Sequence, residues 1–367
     1  MELVHESSKS GMRVFLIRGL GDERDHAERE LLEAGVPLAL PHRAIWSVHL
    51  SRWESWFLLV RDSSGHACGG FAIENVQTRA LPGHKILRVG RFGGSRPIEV
   101  CEVAVEALAS LARSTPRVLR LQVNVFSRDG RQQIGKALEN LGFREIRPPG
   151  SYQHTLGIDL KPTEDKIHAS FTRDARKRIR ETVEMSLRSQ VITDPAFVDR
   201  IDELQQGAMQ RTGGYKPHQD WRGVLTMSQK YPDLSRVVGL FQGEATTPEN
   251  MGAFGWSLNH GDHVEHRAAG STRQSDARIP YGYLLVWDMV QWAKSVGAQW
   301  FDMGGVTVAE GDENHLEGIS RFKKYFSREV LEVGAEWVLE PAPLQAKIAS
   351  AISNSTERVR AWRAKKI

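Results

Sequence analysis

The feature of this sequence that most constrains its fold is an order of predicted elements that occurs twice. Short alternating stretches separated by turn residues predict a hairpin and further strands over residues 56–89 and again over residues 237–269. Later in each half, apolar residues at helical spacing predict helices that lead into strands. The helices over residues 132–141 and 283–296 are each followed by a glycine and then by a strand. We therefore predict two copies of one α/β unit.

A length of 367 residues suits two domains. We place the boundary near residue 160, with an N-terminal domain over residues 1–160 and a C-terminal domain over residues 161–367. The C-terminal domain would contain a basic helix within residues 171–188 and a terminal helix. Residues 1–50 are predicted to mix helix-like and loop-like segments. A single mixed α/β domain with additional elements is the alternative, because sequence identity between the halves is low.

Composition argues against several classes of protein. No internal run reaches the roughly 18 uninterrupted apolar residues of a membrane helix, and the polar N-terminus lacks an apolar signal segment. Two cysteines, Cys68 and Cys101, are too few for a cysteine zinc cluster and suit a reducing compartment. A net charge of +4 is too small to indicate a dedicated nucleic-acid-binding protein. We therefore expect a cytoplasmic protein.

The sequence also lacks the motifs of common hydrolases, phosphate-loop proteins and zinc proteases. It contains no Gly-x-Ser-x-Gly, no complete phosphate-loop motif Gly-x-x-x-x-Gly-Lys-Ser/Thr and no His-Glu-x-x-His. His260, His263 and His266 recur at a three-residue spacing, but across a turn and a strand this spacing predicts side chains that face different ways. We predict neither a metal nor a cofactor.

A basic stretch is the most suggestive local feature. Four basic residues at positions i, i+3, i+4 and i+7 share one predicted helical face: Arg173, Arg176, Lys177 and Arg180. Three apolar residues are predicted on the opposite face: Ala175, Ile179 and Val183. Guanidinium groups match phosphate in charge and geometry, so this face is a candidate contact for phosphate or RNA. Acidic residues on the same helix make a solvated face equally consistent.

A second candidate site follows the strand predicted over residues 300–303. This strand ends in Gly304-Gly305, where the lack of side chains lets a ligand come close to the backbone. Further along the chain, Lys323 follows Phe322, and a lysine ammonium group can stabilise the oxyanion that forms in acyl transfer. A surface lysine beside an aromatic residue is the alternative interpretation.

Together these segments resemble the FemABX family of aminoacyl-tRNA-dependent transferases. The resemblance extends from about residue 50 to residue 340. It is most specific in Tyr-Leu-Leu-Val-Trp-Asp at 283–288, Phe-Asp-Met-Gly-Gly at 301–305 and the stretch over residues 318–326. Weaker matches are Leu-Gly-Phe at 141–143 and Arg-Thr-Gly-Gly-Tyr at 211–215. The chain departs from the family before residue 50, and it lacks the coiled-coil arm that some members insert.

The resemblance implies two tandem GNAT-like α/β domains and transfer of an amino acid from aminoacyl-tRNA to an amine. The usual acceptor is a peptidoglycan precursor peptide, and a natural-product or carrier-bound amine is the alternative. It implies Lys323 and Phe322 as the catalytic pair, with Lys323 stabilising the tetrahedral oxyanion. Substrate-binding positions are expected at Asp302, Gly304, Gly305 and Tyr215. Because an aminoacyl ester is already activated, the reaction needs orientation and oxyanion stabilisation and no cofactor.

Two other functions are consistent with the sequence. An acyl-CoA-dependent N-acyltransferase of the same fold normally carries Gln/Arg-x-x-Gly-x-Gly/Ala, whose backbone amides hold the pyrophosphate. The nearest match, over residues 91–96, has Arg96 at the last small position, and the second half of the chain offers none. The third possibility is a catalytically silent RNA-binding protein on a GNAT-like scaffold.

Overall fold

A computed structural model describes residues 1–185, 187–211, 219–272, 279–307 and 317–364. The chain divides into two compact units. Unit 1 comprises residues 1–47, 51–151 and 333–367, and unit 2 comprises residues 48–50 and 152–332. Among the described residues, no helix is both long and apolar enough to cross a membrane.

Unit 1 is built on one mixed sheet. Its strands are β1 (Glu2–Glu6), β2 (Arg13–Arg18), β3 (Glu54–Arg61), β4 (Ala67–Gln77), β5 (Lys85–Gly93), β6 (Val118–Phe126), β7 (Arg144–Glu145) and β15 (Gly334–Leu339). Their order across the sheet is β1-β2-β3-β4-β5-β6-β15-β7. The helices of this part of the chain are α1 (Asp22–Glu33), α2 (Ala44–His49), α3 (Ile98–Ser114), α4 (Arg131–Asn140) and α11 (Pro343–Ala364).

Unit 2 is built on a second mixed sheet. Its strands are β8 (His154–Asp159), β9 (Arg188–Val191), β10 (Ser235–Phe241), β11 (Met251–Asn259), β12 (His263–Ser271), β13 (Trp300–Gly305) and β14 (Val330–Glu332). Their order is β14-β8-β13-β12-β11-β10-β9. Its helices are α5 (Glu164–Ser170), α6 (Arg173–Glu184), α7 (Val198–Arg211), α8 (Trp221–Lys230), α9 (Tyr281–Ser295) and α10 (Glu317–Lys323).

Each unit has its own apolar core beneath a long helix. Helix α3 buries most of its apolar residues, among them Ala104 and Leu108. Helix α9 places Leu285 and Met289 directly against Gly255 of β11, where an added β-carbon would lie within 3.0–3.2 Å of both side chains. The apolar periodicity that predicts these helices therefore also identifies the face that covers each sheet.

The prediction of two similar α/β units is confirmed, but one detail of the repeat was wrong. The parallel pairs β5/β6 and β12/β13 are joined by α3 and α9 respectively, and parallel neighbours require such a crossover. Helix α9 therefore corresponds to α3, and not to the helix over residues 132–141. That helix is α4, which follows β6 as α10 follows β13. The error arose because α4 and α9 are both followed by a glycine and a strand.

The final strand of each half belongs to the sheet of the other unit. Strand β8 follows β7 in the chain but pairs antiparallel with β13 in unit 2. Strand β15 follows β14 but pairs antiparallel with β6 in unit 1. The units thus differ from a division at residue 160: residues 152–160 join unit 2 and residues 333–367 join unit 1. Strand pairing, rather than order in the sequence, decides the membership.

Residues 1–50 also differ from expectation, because they contain the antiparallel strands β1 and β2 as well as helices. Strand β1 has no buried residue, so it lacks the apolar alternation by which strands are recognised. In β2, by contrast, Val14 and Leu16 are buried, and their alternation was a usable signal.

Removal of residues 333–367 should destabilise unit 1 selectively. Strand β6 would lose its partner over Leu121–Phe126, and the core would lose Ala335 and Leu339. We expect hydrogen exchange in β6 to accelerate by at least about tenfold, while β11 in unit 2 stays protected. A chain ending at Ser353 retains β15 and is the control. Unchanged protection of β6 in the chain that lacks residues 333–367 would contradict the pairing of β15 with the sheet of unit 1.

Candidate active site

The candidate site begins where two parallel strands of unit 2 separate. Strands β12 and β13 pair from His263↔Trp300 to Glu265↔Asp302. Beyond this point β12 continues beside β11 as far as Ser271. Strand β12 has one extra residue here, Arg267, between the pairs Ser257↔His266 and Trp256↔Ala268. Such bulges often redirect side chains beside functional sites. Ligands of α/β proteins bind in crevices at the carboxyl ends of parallel strands, and a cavity of about 780 Å³ opens here.

The cavity combines a small-residue wall with charged side chains. Glycine and alanine residues from β12, β13 and three helices line it, including Ala208, Ala268, Gly270, Gly282 and Gly318. The basic residues among the described lining are Arg211, Arg267, Arg321 and Lys323. Glu265 is the acidic residue of the same described lining. A volume of this size suits a small-molecule ligand or the end of a larger one.

Lys323 is the buried cation of this cavity. It lies at the end of α10, is 8% exposed, and donates a hydrogen bond of 2.8 Å from Nζ to the carbonyl oxygen of Gly305. Burial lowers the pKa of the Lys323 ammonium group to about 8, although the carboxylates of Asp302 and Glu265 oppose the shift. Lys323 is therefore mainly protonated at neutral pH in a largely desolvated place.

Phe322 lines the cavity beside Lys323 and also anchors α10. Its ring packs edge-on against Tyr283 at 5.2 Å and against Phe326 at 5.4 Å between centroids. A β-carbon on Gly282 would lie 3.0 Å from the Phe322 ring, so α9 and α10 approach closely at this glycine. The structure thus brings the predicted pair Phe322 and Lys323 to the cavity, where the aromatic residue fixes the helix that carries the ammonium group.

The Gly304-Gly305 pair lies at the same cavity, and at each position a steric constraint favours glycine. Gly304 has a φ of +74°, which favours glycine, and its β-carbon would lie 3.1 Å from the carbonyl oxygen of His266. A β-carbon on Gly305 would lie 2.7 Å from Cβ of Tyr152. Both glycines line the cavity, and the Gly305 carbonyl orients Lys323.

Asp302 supports the site from beneath the cavity and is not part of its lining. Its carboxylate is wholly buried and accepts hydrogen bonds from the Gly304 N–H at 2.8 Å and the Tyr152 hydroxyl at 2.7 Å. The hydroxyl of Thr155 donates to the same carboxylate. Asp302 therefore holds the turn at Gly304 and positions Tyr152, which does line the cavity.

Three residues line the cavity although they were not predicted as site residues: Tyr152, Glu265 and His266. Both ring nitrogens of His266 are buried and, within the described part of the chain, make no hydrogen bond of ordinary geometry. Burial lowers the pKa of His266 to about 3, and the Lys323 ammonium group contributes, so the ring is neutral at pH 7. Glu265 and His266 lie beside the bulge at Arg267, and a long-range contact with Asp302 holds Tyr152 at the cavity. Neither feature leaves a pattern in the sequence.

The expectation that the three spaced histidines face different ways was wrong for His260 and His263. Their rings stack at 4.9 Å between centroids, because the turn that joins β11 to β12 places them opposite each other. His260 pairs with Glu265 at 3.1 Å and His263 with Asp262 at 2.7 Å. Among the described residues, no group of three or more His, Cys, Asp or Glu is arranged to hold a metal ion.

Helix α6 is the predicted basic helix, and it begins at a Thr172 cap that accepts the N–H of Ala175. Its exposed basic residues include Arg173, Lys177 and Arg180. Arg176 is half-buried, and its guanidinium donates to the carbonyl oxygens of Ala169 and Phe171, which caps the preceding helix. None of these four residues lines the cavity described above.

The buried face of α6 differs from the prediction in one residue. Ala175 and Ile179 are buried as expected, but Val183 is 60% exposed and Thr182 is buried instead. The Thr182 hydroxyl donates to the Ile179 carbonyl oxygen at 2.7 Å, which makes its burial tolerable. Tyr215, a predicted substrate-binding residue, lies outside the described residues.

The corresponding region of unit 1 is closed. Strands β5 and β6 stay paired as far as Gly93↔Phe126. The Arg96 guanidinium folds over the Phe71 ring and donates to the carbonyl oxygens of Gly93 and Gly70 at 3.0 and 3.1 Å. The Gly94 N–H donates to the Phe126 carbonyl oxygen. The Gly94 amide of the loop over residues 91–96 is therefore bonded within the protein, whereas a CoA pyrophosphate would need such an amide as a donor.

Glu265 should control the titration of Lys323. A carboxylate stabilises a neighbouring ammonium group, so Glu265→Gln should lower the pKa of Lys323 below its value of about 8. The pH dependence of acetylation by acetic anhydride, read by mass spectrometry, measures this pKa. The exposed neighbour Lys324 serves as an internal reference. An unchanged or raised midpoint for Lys323 in the variant would contradict the proposed electrostatic contact.

Comparison with known proteins supports the assignment made from the C-terminal signature. The model of the FemAB family matches residues 255–354, which include β12, α9, β13 and α10. No curated protein matches the sequence.

Solved structures show the fold of the chain. A FemX crystal structure is similar with a TM-score of 0.70 at 14% identity, over 91% of this chain and 100% of that one. L-PGS from Bacillus licheniformis has a TM-score of 0.51 at 14% identity, over 91% of this chain and 98% of that one. Both chains are covered almost completely, and the two α/β units described above are GNAT-like domains. The chain is thus similar to the FemAB family over residues 255–354, and it shares the fold of FemX.

Proposed function

We propose that this protein is an aminoacyltransferase that moves an amino acid from aminoacyl-tRNA to an amine. The observation that carries the proposal is the buried Lys323 ammonium group in the cavity at the ends of β12 and β13. This cavity lies mainly in the segment that matches the FemAB family. A desolvated cation beside an open backbone is suited to acyl transfer, in which negative charge develops on a carbonyl oxygen.

The proposed reaction needs little chemistry from the protein. The amine attacks the ester carbonyl, the tetrahedral oxyanion forms beside Lys323, and the ribose oxygen leaves as a hydroxyl when the amide forms. The amine loses one proton and the leaving oxygen gains one, so the exchange balances through water or the ribose hydroxyl. Lys323 contributes electrostatically, because its charge acts most strongly in a dehydrated cavity. The cavity holds the ester and amine in attack geometry.

The proposal also names the chemical class of the donor and of the acceptor. Similarity to the FemAB family favours a peptidoglycan precursor peptide as the acceptor, and a natural-product or carrier-bound amine is the alternative. Arg173, Lys177 and Arg180 on α6 present positive charge that would contact tRNA phosphates. Arg176 would act indirectly, because its bonds to the carbonyl oxygens of Ala169 and Phe171 tie α6 to the end of the preceding helix. A cytoplasmic location follows from the proposed donor, because charged tRNA is made in the cytoplasm.

The structure disfavours the two alternatives for specific reasons. Acyl-CoA use is disfavoured in unit 1 because Arg96 fills the loop that would receive the pyrophosphate. A silent RNA-binding protein does not need a buried ammonium group in a cavity, since burying a charge is costly. Lys323 and its acidic neighbours are better explained by catalysis.

Lys323→Met should lower turnover by about 10²–10³, which is the usual cost of losing one oxyanion donor. Binding of the donor should change little, because the ground-state ester carries no such charge. Single-turnover transfer measures the first effect and equilibrium binding of charged tRNA the second. Lys324→Met removes an exposed lysine from the adjacent position and is the control. Wild-type turnover in Lys323→Met would refute the assigned role.

Replacing Arg173, Lys177 and Arg180 by alanine should weaken tRNA binding and reduce its salt dependence. If all three contact phosphates, the slope of log K against log salt should decrease by about 2–3. The control replaces three exposed basic residues of unit 1, Lys9, Arg29 and Lys136, and removes the same charge. Equal slopes in the α6 variant and the wild type would show that this helix face is merely solvated.

A further inference from the structure

Positive side chains outnumber negative ones around the cavity, and this imbalance indicates how an amino acid is recognised. Four basic side chains and one acidic side chain belong to its described lining, and the acidic one is Glu265. Glu265 is 4% exposed and is the last residue of β12 that pairs with β13. Its carboxylate therefore lies at the point where the strands separate, close enough to Lys323 to affect its titration.

The surrounding contacts hold the Glu265 carboxylate in place. Its Oε2 lies 3.1 Å from Nε2 of His260, which is itself buried. Its Oε1 lies 3.5 Å from the Tyr152 hydroxyl and 3.7 Å from the Arg267 guanidinium. The Tyr152 hydroxyl makes its short bond, of 2.7 Å, to Asp302. Glu265 is thus fixed from behind by His260 and presents its other oxygen toward groups that line the cavity.

We propose that Glu265 binds the α-ammonium group of the aminoacyl moiety that is transferred. The inference rests on the proposed function and names a specificity residue for it. An α-ammonium group that enters this cavity meets Lys323 and three arginines, and like charges destabilise it there. The Glu265 carboxylate supplies the opposite charge, and burial of the pair strengthens the attraction.

The donor's ammonium group fits this carboxylate better than the acceptor's amine does. The attacking amine must be neutral, and a nearby carboxylate would hold it in the protonated, unreactive form. The α-ammonium group of the ester, by contrast, takes no part in bond making and keeps its charge throughout the reaction. Neutral His266, in the same lining, can add a polar contact without repelling the ammonium group.

Three stable donor analogues test the proposal. The first is 3′-deoxy-3′-(L-alanylamido)adenosine, which has the α-ammonium group. The second carries a propionyl group instead of the alanyl group and therefore lacks the ammonium group. The third carries a lactoyl group, in which a neutral hydroxyl replaces the ammonium group. Calorimetry on the full chain should show that the wild type prefers the alanyl analogue by about 10- to 100-fold. Glu265→Gln should lose this preference and bind the propionyl analogue as the wild type does.

The controls separate this inference from the proposed function. Glu203→Gln removes an exposed carboxylate of unit 2 from outside the cavity lining and should keep the preference. If Glu265→Gln binds selectively, or if the wild type binds all three analogues equally, the role of Glu265 is refuted and the proposed transfer is not. The second comparison uses only wild-type protein, so it is decisive even if the variant does not fold. Failure of the wild type to bind any analogue contradicts the proposed donor and, with it, this inference.

Discussion

The candidate site depends on the burial of charge at the end of one parallel strand pair. The Asp302 carboxylate is wholly buried, and such a group is stable only when donors surround it. Its donors are the Gly304 N–H and the hydroxyls of Tyr152 and Thr155, so Asp302 fixes the turn from which Gly305 presents its carbonyl oxygen. That oxygen in turn holds Lys323. Removal of Asp302 would thus disturb the turn, the Tyr152 wall and the ammonium group together.

The two units show how one architecture can be open in one copy and closed in the other. In unit 2 the parallel strands separate after Glu265 and Asp302, and the cavity fills the gap. In unit 1 the equivalent strands stay paired to Gly93, and Arg96 covers the loop that follows. Both units use the same crossover of strand, helix and strand. The difference lies in side chains and strand register, so a shared fold does not imply a shared activity.

Much of the fold could be predicted from the sequence because apolar periodicity marks buried helices and strands directly. The duplication was visible, and so was the segment that brings Gly304 and Lys323 to the cavity. Exchange of β8 and β15 between sheets was not visible, because pairing between strands distant in the chain depends on the whole fold. Glu265 and Tyr152 were missed for a related reason, since a bulge and a long-range contact bring them to the cavity. Arg176 was predicted to contact phosphate because it belongs to a basic helical face. That pattern could not reveal that its guanidinium binds backbone carbonyl oxygens of the same protein.

The central claim is that the unit 2 cavity accepts an aminoacyl ester, and direct competition between donors tests it. The protein would be incubated with amine acceptors, a pool of charged tRNAs and a matched pool of acyl-CoA thioesters. Mass spectrometry would then identify every acyl group that is transferred or released. We predict that aminoacyl-tRNA is consumed and that the thioesters persist. Consumption of an acyl-CoA with all charged tRNAs left intact would contradict it.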